Sequence, residues 1–114
     1  MLQPVVALRL VKTVHTVVWA IFAGAIIAIP ILSWAGFWSS AAVLTALVLV
    51  ECLVLAFNRM RCPLTDVAAR YTDDRRDNFD IYLPLWLAKY NQRLFGSLFA
   101  AGLLFSIALF WLRI

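Results

Sequence analysis

Residues 14–35 read VHTVVWAIFAGAIIAIPILSWA, a run without a single Asp, Glu, Lys or Arg. A transmembrane helix needs about 20 mainly apolar residues, because each residue adds about 1.5 Å and the hydrocarbon core is about 30 Å thick. Gly24 and Pro30 interrupt the run, but both residue types are tolerated in membrane helices. The run is longer than the apolar part of a signal peptide, and no A-x-A-like cleavage site closes it. We therefore predict a retained first span.

Two further apolar runs complete the pattern. Residues 41–57 read AAVLTALVLVECLVLAF, and residues 94–112 read LFGSLFAAGLLFSIALFWL. The connection between the first two runs is very short, so we expect an antiparallel helical hairpin. The sequence predicts an all-α integral membrane bundle in a single domain, residues 1–114. Three transmembrane helices would be joined to a cap, residues 58–93, of short or interfacial helices.

The composition supports a membrane protein. Of the 114 residues, 65% are hydrophobic and 14% are charged, whereas soluble domains are about 45–50% apolar and about 25% charged. The net charge of +4 does not indicate nucleic-acid binding, because the basic residues flank the apolar runs and form no face of their own. Two cysteines and one histidine give no metal-ligand spacing, so we predict no metal and no cofactor.

The basic residues predict an orientation. Nine of the ten Lys and Arg residues either precede the first run or lie in residues 58–93, and only Arg113 lies on the other side. Cytoplasmic loops of membrane proteins are enriched in Lys and Arg. We therefore expect the amino terminus and the cap in the cytoplasm and the carboxyl terminus outside.

Glu51 is the only glutamate in the chain, and it stands inside the second apolar run, about 10 Å from the end of the helix. An unpaired carboxylate in the membrane costs on the order of 2.5–3.5 kcal/mol or more. An antiparallel hairpin brings His15 to a similar depth. Three interpretations stay open: a structural polar pair with His15 or an arginine, a proton-handling or substrate site, and a neutral Glu51 without a special role.

The second run is followed by NRMRCPLTD, residues 58–66. Arg59 and Arg61 suit lipid phosphates, and they equally suit ordinary cytoplasmic anchoring. Two neighbouring arginines would lower the pKa of the Cys62 thiol, but no base or second cysteine is spaced to support catalysis. The candidate polar cluster consists of His15, Glu51, Asn58, Arg59, Arg61, Cys62 and Asp66.

The rest of the cap offers two features. Four aspartates lie between residues 73 and 80; such groups bind Mg²⁺ with phosphates, but the interspersed arginines favour a solvated ion-pair loop. Further on, aromatic residues recur every fourth position, either on a helix at the level of the lipid headgroups or on an extension of the third span. The predicted lipid-interface residues are Tyr82, Trp86, Lys89, Tyr90 and Arg93.

Small residues on the spans predict helix association. Lipid tails are as apolar as leucine, so membrane helices associate through close packing of small side chains. Three helices bury only part of this surface, so we expect a homo-oligomer or a larger membrane complex. The small residues are Ala20, Gly24 and Ala28 on the first span, and Gly96, Ala100, Gly102 and Ser106 on the third.

Two stretches carry a family resemblance: ECLVLAFNRMRCPLTDVAARY, residues 51–71, and NFDIYLPLW, residues 78–86. The shared features are Glu51 late in a span, Cys-Pro-Leu-Thr at 62–65, Arg70, and the stretch 79–83. With these, the chain resembles a family of small bacterial multi-span membrane proteins catalogued as domain of unknown function 2784. The resemblance implies a helical fold in the bacterial inner membrane and no particular activity.

These observations favour a non-enzymatic component, an oligomeric scaffold or accessory subunit, because no complete catalytic set is present. Membrane lipids and other membrane subunits are the expected partners. An interfacial lipid- or phosphate-binding protein or enzyme is the first alternative. A small proton-coupled transporter using Glu51 is the second.

Overall fold

The computed structural model describes residues 3–114, which form helices and no β-strand. The helices are α1 (Pro4–Trp34), α2 (Trp38–Phe57), α3 (Pro63–Ala68) and α4 (Leu85–Arg113). Within residues 3–114, α1, α2 and α4 are long and apolar enough to cross a membrane. The predicted all-α class and the three long apolar helices are thus confirmed. The predicted single domain, residues 1–114, includes Met1 and Leu2, which lie outside the described residues.

The α1–α2 hairpin follows from local sequence. Proline suits the first position of a helix because its missing N–H has no partner there in any case, and α1 begins at Pro4. The helix starts ten residues before the predicted span, since no helix breaker separates the two. After Trp34 the chain reverses through Gly36, whose φ of 87° is favourable for glycine. The Phe37 N–H then donates to Leu32 O at 2.9 Å, and α2 begins at the next residue.

The carboxyl end of α2 is a tight, strained turn. Leu55 O accepts hydrogen bonds from Asn58 N at 3.1 Å and from Met60 N at 2.7 Å, the pattern of a helix end that usually has glycine after the cap residue. Here Arg59 and Met60 occupy the left-handed region, with φ of 57° and 63°, at a cost of about 1–2 kcal/mol each. The Gln92 side chain donates to Met60 O at 2.6 Å and supports the turn.

The third long helix extends beyond the predicted span. Residues 85–93 belong to α4, so they are continuous with the predicted span and do not form a separate helix. Tyr82 precedes the helix, and of the predicted aromatic stripe only Trp86 and Tyr90 lie on it. We call residues 58–84, which include α3, the cap; the predicted cap extended to residue 93.

Helix α1 is central, since both α2 and α4 pack mainly against it. The buried core consists of Ala25, Ile26, Ile29 and Val48, with Phe22, Leu44, Phe95 and Phe99 packed around it. We call the half of the bundle beside the cap the cap end. The opposite half, around the α1–α2 turn, is the closed end.

Small residues bring the helices together at the closed end. Gly102 lies against Pro30, and a Cβ added to this glycine would be 3.3 Å from Pro30 Cδ. One turn further on, Ser33 Oγ lies 2.8 Å from Ser106 Oγ, and Ser106 Oγ donates to Gly102 O at 2.8 Å. The rings of Trp38 and Phe110 meet at 5.3 Å. Thus Gly102 and Ser106 serve packing within the chain.

Candidate ligand-binding cavity

At the cap end, α1, α2, α4 and the cap surround a cavity of about 580 Å³, within the usual range of small-molecule sites. The lining of the cavity changes from apolar to polar along the length of the bundle. Toward the core the walls are apolar and partly aromatic, with Phe22, Ile26, Val48, Phe95 and Phe99. Toward the cap they carry polar groups: His15, Glu51, Cys62, Thr65, Asp80, Asn91 and Gln92.

Asp80 joins the cap to α1. His15 Nδ1 lies 3.0 Å from Asp80 O and 3.4 Å from Asp80 Oδ2, and the Thr65 hydroxyl donates to the same Oδ2. Both groups near Nδ1 are acceptors, so we assign a proton to Nδ1. The carboxyl group is satisfied, and Asp80 is only 6% exposed. The prediction of a solvated ion-pair loop is therefore wrong for this aspartate.

The residues after Asp80 are fastened to the same face of α1. The backbone N–H of Tyr82 donates to Thr16 Oγ1 at 2.9 Å. Lys12 Nζ lies 4.4 Å from the centre of the Tyr82 ring, a cation–π contact. These contacts hold the cap over the cavity.

The α4 wall is fixed through Trp19. Its indole N–H donates to Asn91 Oδ1 at 2.7 Å, which satisfies the one polar atom of the ring. The ring meets Phe95 edge to face at 5.7 Å. An aromatic corner is thereby held between α1 and α4, on the lining of the cavity.

Glu51 lines the cavity from α2. The ion pairs among residues 3–114 are His15–Asp80, Arg61–Asp66 and Arg76–Asp74, and none of them includes Glu51. The sequence offered His15 and Arg59 as partners. His15 is engaged with Asp80, and Arg59 lies in the strained turn, away from the cavity lining. The Glu51 carboxylate thus shares a cavity with His15 without forming an ion pair with it.

Three other members of the predicted cluster stabilise the turn after α2. Asn58 Nδ2 donates to Arg61 O at 2.7 Å and to Asp66 Oδ2 at 3.0 Å. Arg61 Nη2 lies 3.5 Å from Asp66 Oδ1, and both side chains are well exposed. Of these three residues only Arg61 also lines the cavity.

Cys62 lines the cavity but is not an activated thiol. Burial raises its pKa, the charges of Glu51 and Asp80 add to that effect, and hydrogen bonds from the backbone of Leu64 and Thr65 oppose it. The net rise keeps the thiol protonated at neutral pH, and a thiolate is the reactive form. The neighbouring arginines do not dominate its pKa, contrary to what their position in the sequence suggested.

The charged side chains around the cavity differ in how well they are paired. The basic ones are Arg61, Arg75, Arg76, Lys89 and Arg93, and the acidic ones are Glu51, Asp77 and Asp80. Arg76 pairs with Asp74 at 2.8 Å, and this contact lowers the pKa of Asp74 to about 2. Arg75 donates to Thr72 O at 2.7 Å. Lys89 and Arg93, both on α4, form no ion pair within residues 3–114.

The structure adds residues that sequence reasoning missed: Trp19, Thr65, Asp80, Asn91 and Gln92. The sequence contains one indication that Asp80 is buried. Asp80 stands between the apolar residues Phe79 and Ile81, which is an unusual place for a solvated carboxylate. Thr65 belonged to the Cys-Pro-Leu-Thr stretch already singled out. Residues 3–114 contain no group of three His, Cys, Asp or Glu side chains that could hold a metal ion.

No family model, curated protein or solved structure matches this chain.

Proposed function

We propose that this protein binds a phosphate-bearing amphiphile from the membrane in the cavity at the cap end. The observation that carries the proposal is the polarity of the cavity, which is apolar toward the core and polar toward the cap. An amphiphile is likewise divided into an apolar hydrocarbon part and a polar headgroup. Its headgroup would occupy the polar part, and the adjoining hydrocarbon would lie along Phe22, Phe95 and Phe99.

The charges support a phosphate group. Lys89 and Arg93 line the cavity and form no ion pair within the described part of the chain. Arginine binds phosphate through two parallel hydrogen bonds, and lysine binds it as a compact charge. A lipid phosphate beside them would supply the missing counter-charge.

We propose the bacterial inner membrane as the location, with the amino terminus and the cap in the cytoplasm and the carboxyl terminus outside. The support for the orientation is the nine-to-one distribution of basic residues. The bacterial inner membrane is proposed from the sequence resemblance of residues 51–71 and 78–86 alone, since no family model matches the chain. The cavity would then open at the level of cytoplasmic headgroups, where anionic lipids attract basic side chains.

Copurifying lipid tests this function. The protein would be purified in a mild detergent, and bound phospholipid would be counted by native mass spectrometry. We expect about one lipid per chain, lost when Lys89→Gln and Arg93→Gln are combined. The matched control is Arg9→Gln with Arg70→Gln, which removes two exposed basic residues that do not line the cavity. Wild-type protein free of lipid, or equal loss in both double variants, would refute the proposal.

An oligomeric or accessory-subunit role is the second candidate. Gly24 is exposed on α1, and a Cβ added to it meets no atom within 4 Å. Such positions let a second helix approach closely. If a partner helix packs there, Gly24→Leu weakens association in cross-linking experiments and leaves monomer unfolding unchanged. A strict monomer with no copurifying subunit would exclude this role.

A further inference from the structure

Glu51 on α2 and the basic residues Lys89 and Arg93 on α4 line the same cavity without forming an ion pair. We infer that the bound amphiphile is zwitterionic, with an ammonium group beside Glu51 and a phosphate beside Lys89 and Arg93. The inference rests on the proposed function, because it specifies the headgroup of the ligand that the cavity would hold.

The acidic wall is the α2 side, where Glu51 has no ion-pair partner among residues 3–114. A charged carboxylate in this environment needs a cation or a proton. The basic side chains of the lining do not pair with it: Arg61 faces Asp66, and Lys89 and Arg93 form no ion pair with Glu51. His15 contacts Asp80 instead. A positive group on the ligand is therefore the partner that the site lacks.

Aromatic rings favour an ammonium group as that cation. Trp19, Phe22, Phe95 and Phe99 line the same cavity as Glu51. Trp19 is held in place by Asn91 and Phe95, so its ring is already oriented. Ammonium groups bind the faces of aromatic rings within about 6 Å, more strongly where water is excluded.

The basic wall lies at a similar depth. Glu51 is six residues from the end of α2, Phe57, and Arg93 is eight residues from the start of α4, Leu85. Both helix ends lie at the cap, so at about 1.5 Å per residue the two side chains stand roughly 9 Å and 12 Å into the bundle. The two charges of the ligand would thus lie side by side across the cavity, as in a headgroup that lies parallel to the membrane surface.

Single-charge ligands fit less well. An anionic headgroup satisfies Lys89 and Arg93 but adds a negative charge to the cavity of Glu51. A cationic amphiphile satisfies Glu51 but adds positive charge beside Lys89 and Arg93. An ammonium phosphate headgroup compensates both walls, and this difference should appear as selectivity between lipids.

The experiment compares two lipids with identical acyl chains, phosphatidylethanolamine and phosphatidylglycerol, added to delipidated protein in detergent and measured by native mass spectrometry. We expect the wild type to bind the ethanolamine lipid on the order of tenfold more tightly, as one added charged contact would give. Glu51→Gln should reduce this ratio to about one while phosphatidylglycerol binding persists. Asp73→Asn, which alters an exposed acidic side chain that does not line the cavity, should keep the ratio.

The outcomes separate the two proposals. Equal binding of both lipids by the wild type, or a ratio unchanged by Glu51→Gln, would overturn the zwitterion inference and leave lipid binding standing. Binding of neither lipid would remove the proposed function itself. Displacement of the lipid by soluble phosphoethanolamine at equal concentration would overturn a membrane source for the ligand. Circular dichroism of each variant checks that its helices are intact.

Discussion

The closed end and the cap end of the bundle are built from the same three helices but use their polar residues in opposite ways. At the closed end, Ser33 and Ser106 are buried and bond to each other, and Gly102 lets α4 reach Pro30. At the cap end, polar side chains surround a cavity of about 580 Å³, and Glu51 forms no ion pair within the described residues. One end is completed internally, whereas the other has charged side chains without ion-pair partners among residues 3–114.

The difference has a steric origin. Glycine and serine allow helix backbones to approach closely, so their polar groups are satisfied between helices. Trp19 and Phe22 on α1 and Phe95 on α4 are larger, and they line the cavity at the other end. The cap borders this space and is fastened to α1, where His15 Nδ1 donates to Asp80 O and the Tyr82 N–H donates to Thr16 Oγ1. Replacements at either end should therefore have different consequences.

Filling the closed end should have the largest effect. In Gly102→Leu the first added carbon already lies 3.3 Å from Pro30 Cδ, and three further carbons follow it. We expect the free energy of unfolding in detergent to fall by about 3 kcal/mol, the upper part of the usual range for overpacking. Gly96→Leu is the control, since a Cβ there meets no atom within 4 Å. An equal loss in both variants would contradict the close approach of α1 and α4.

Loosening the cap should have the next largest effect, confined to the cap end. His15→Ala leaves the nearly buried Asp80 with only Thr65, at a cost of about 2 kcal/mol for a polar group that has lost its partner. We expect faster amide hydrogen exchange at residues 79–82 while the closed end keeps its protection. Thr13→Ala is the control, because Thr13 is exposed and its hydroxyl bonds only within α1, to Arg9 O. Unchanged exchange in His15→Ala would show that His15 does not hold the cap.

Relieving the strained turn should stabilise the protein. Arg59 has a φ of 57°, which glycine adopts without the penalty that other residues incur. We expect Arg59→Gly to raise the free energy of unfolding by about 1 kcal/mol. Arg61→Gly, at a residue outside the left-handed region, should lower it. If both changes lower the free energy of unfolding, the Arg59 side chain stabilises the turn by more than its strained backbone destabilises it.

The smallest effect concerns a charge pair outside the helices. The hydrogen bonds from Arg76 lower the pKa of Asp74 from the ordinary 3.8 to about 2. A depressed carboxyl pKa stabilises the folded turn above pH 3.8, and that contribution is lost as the pH falls toward 2. It should be slight, because Asp74 is solvated and water screens the pair. Carbon-13 NMR should give a midpoint near pH 2 for this carboxyl group, returning toward 3.8 in Arg76→Gln.

Much of the fold follows from the sequence, because hydrophobic length is a local property. Three uncharged or nearly uncharged runs predicted three long apolar helices, and the structure contains them. The prediction was less accurate where apolar length was not the deciding factor. Residues 4–13 and 85–93 are helical because nothing breaks the helix, even though they extend beyond the predicted spans.

The candidate site was predicted only in part. Glu51 and His15 were selected because polar residues in apolar runs are costly, and both line the cavity. The partner of His15 was not predicted. Asp80 lies 65 residues further along the chain, and nothing in the sequence fixes which aspartate of the cap contacts α1. Asn91 and Gln92 were missed because their helix was not known to be continuous with the last span.

The sequence by itself determined that this protein is helical, that three of its helices are apolar over a membrane's thickness, and that one carboxylate lies within them. Those properties depend on neighbouring residues and on the periodic geometry of a helix. Only the tertiary structure decided that Asp80 engages His15, and that Glu51 shares a cavity with Lys89 and Arg93. Such pairings depend on the path of the cap and on how closely each pair of helices approaches, and both result from packing between residues far apart in the chain.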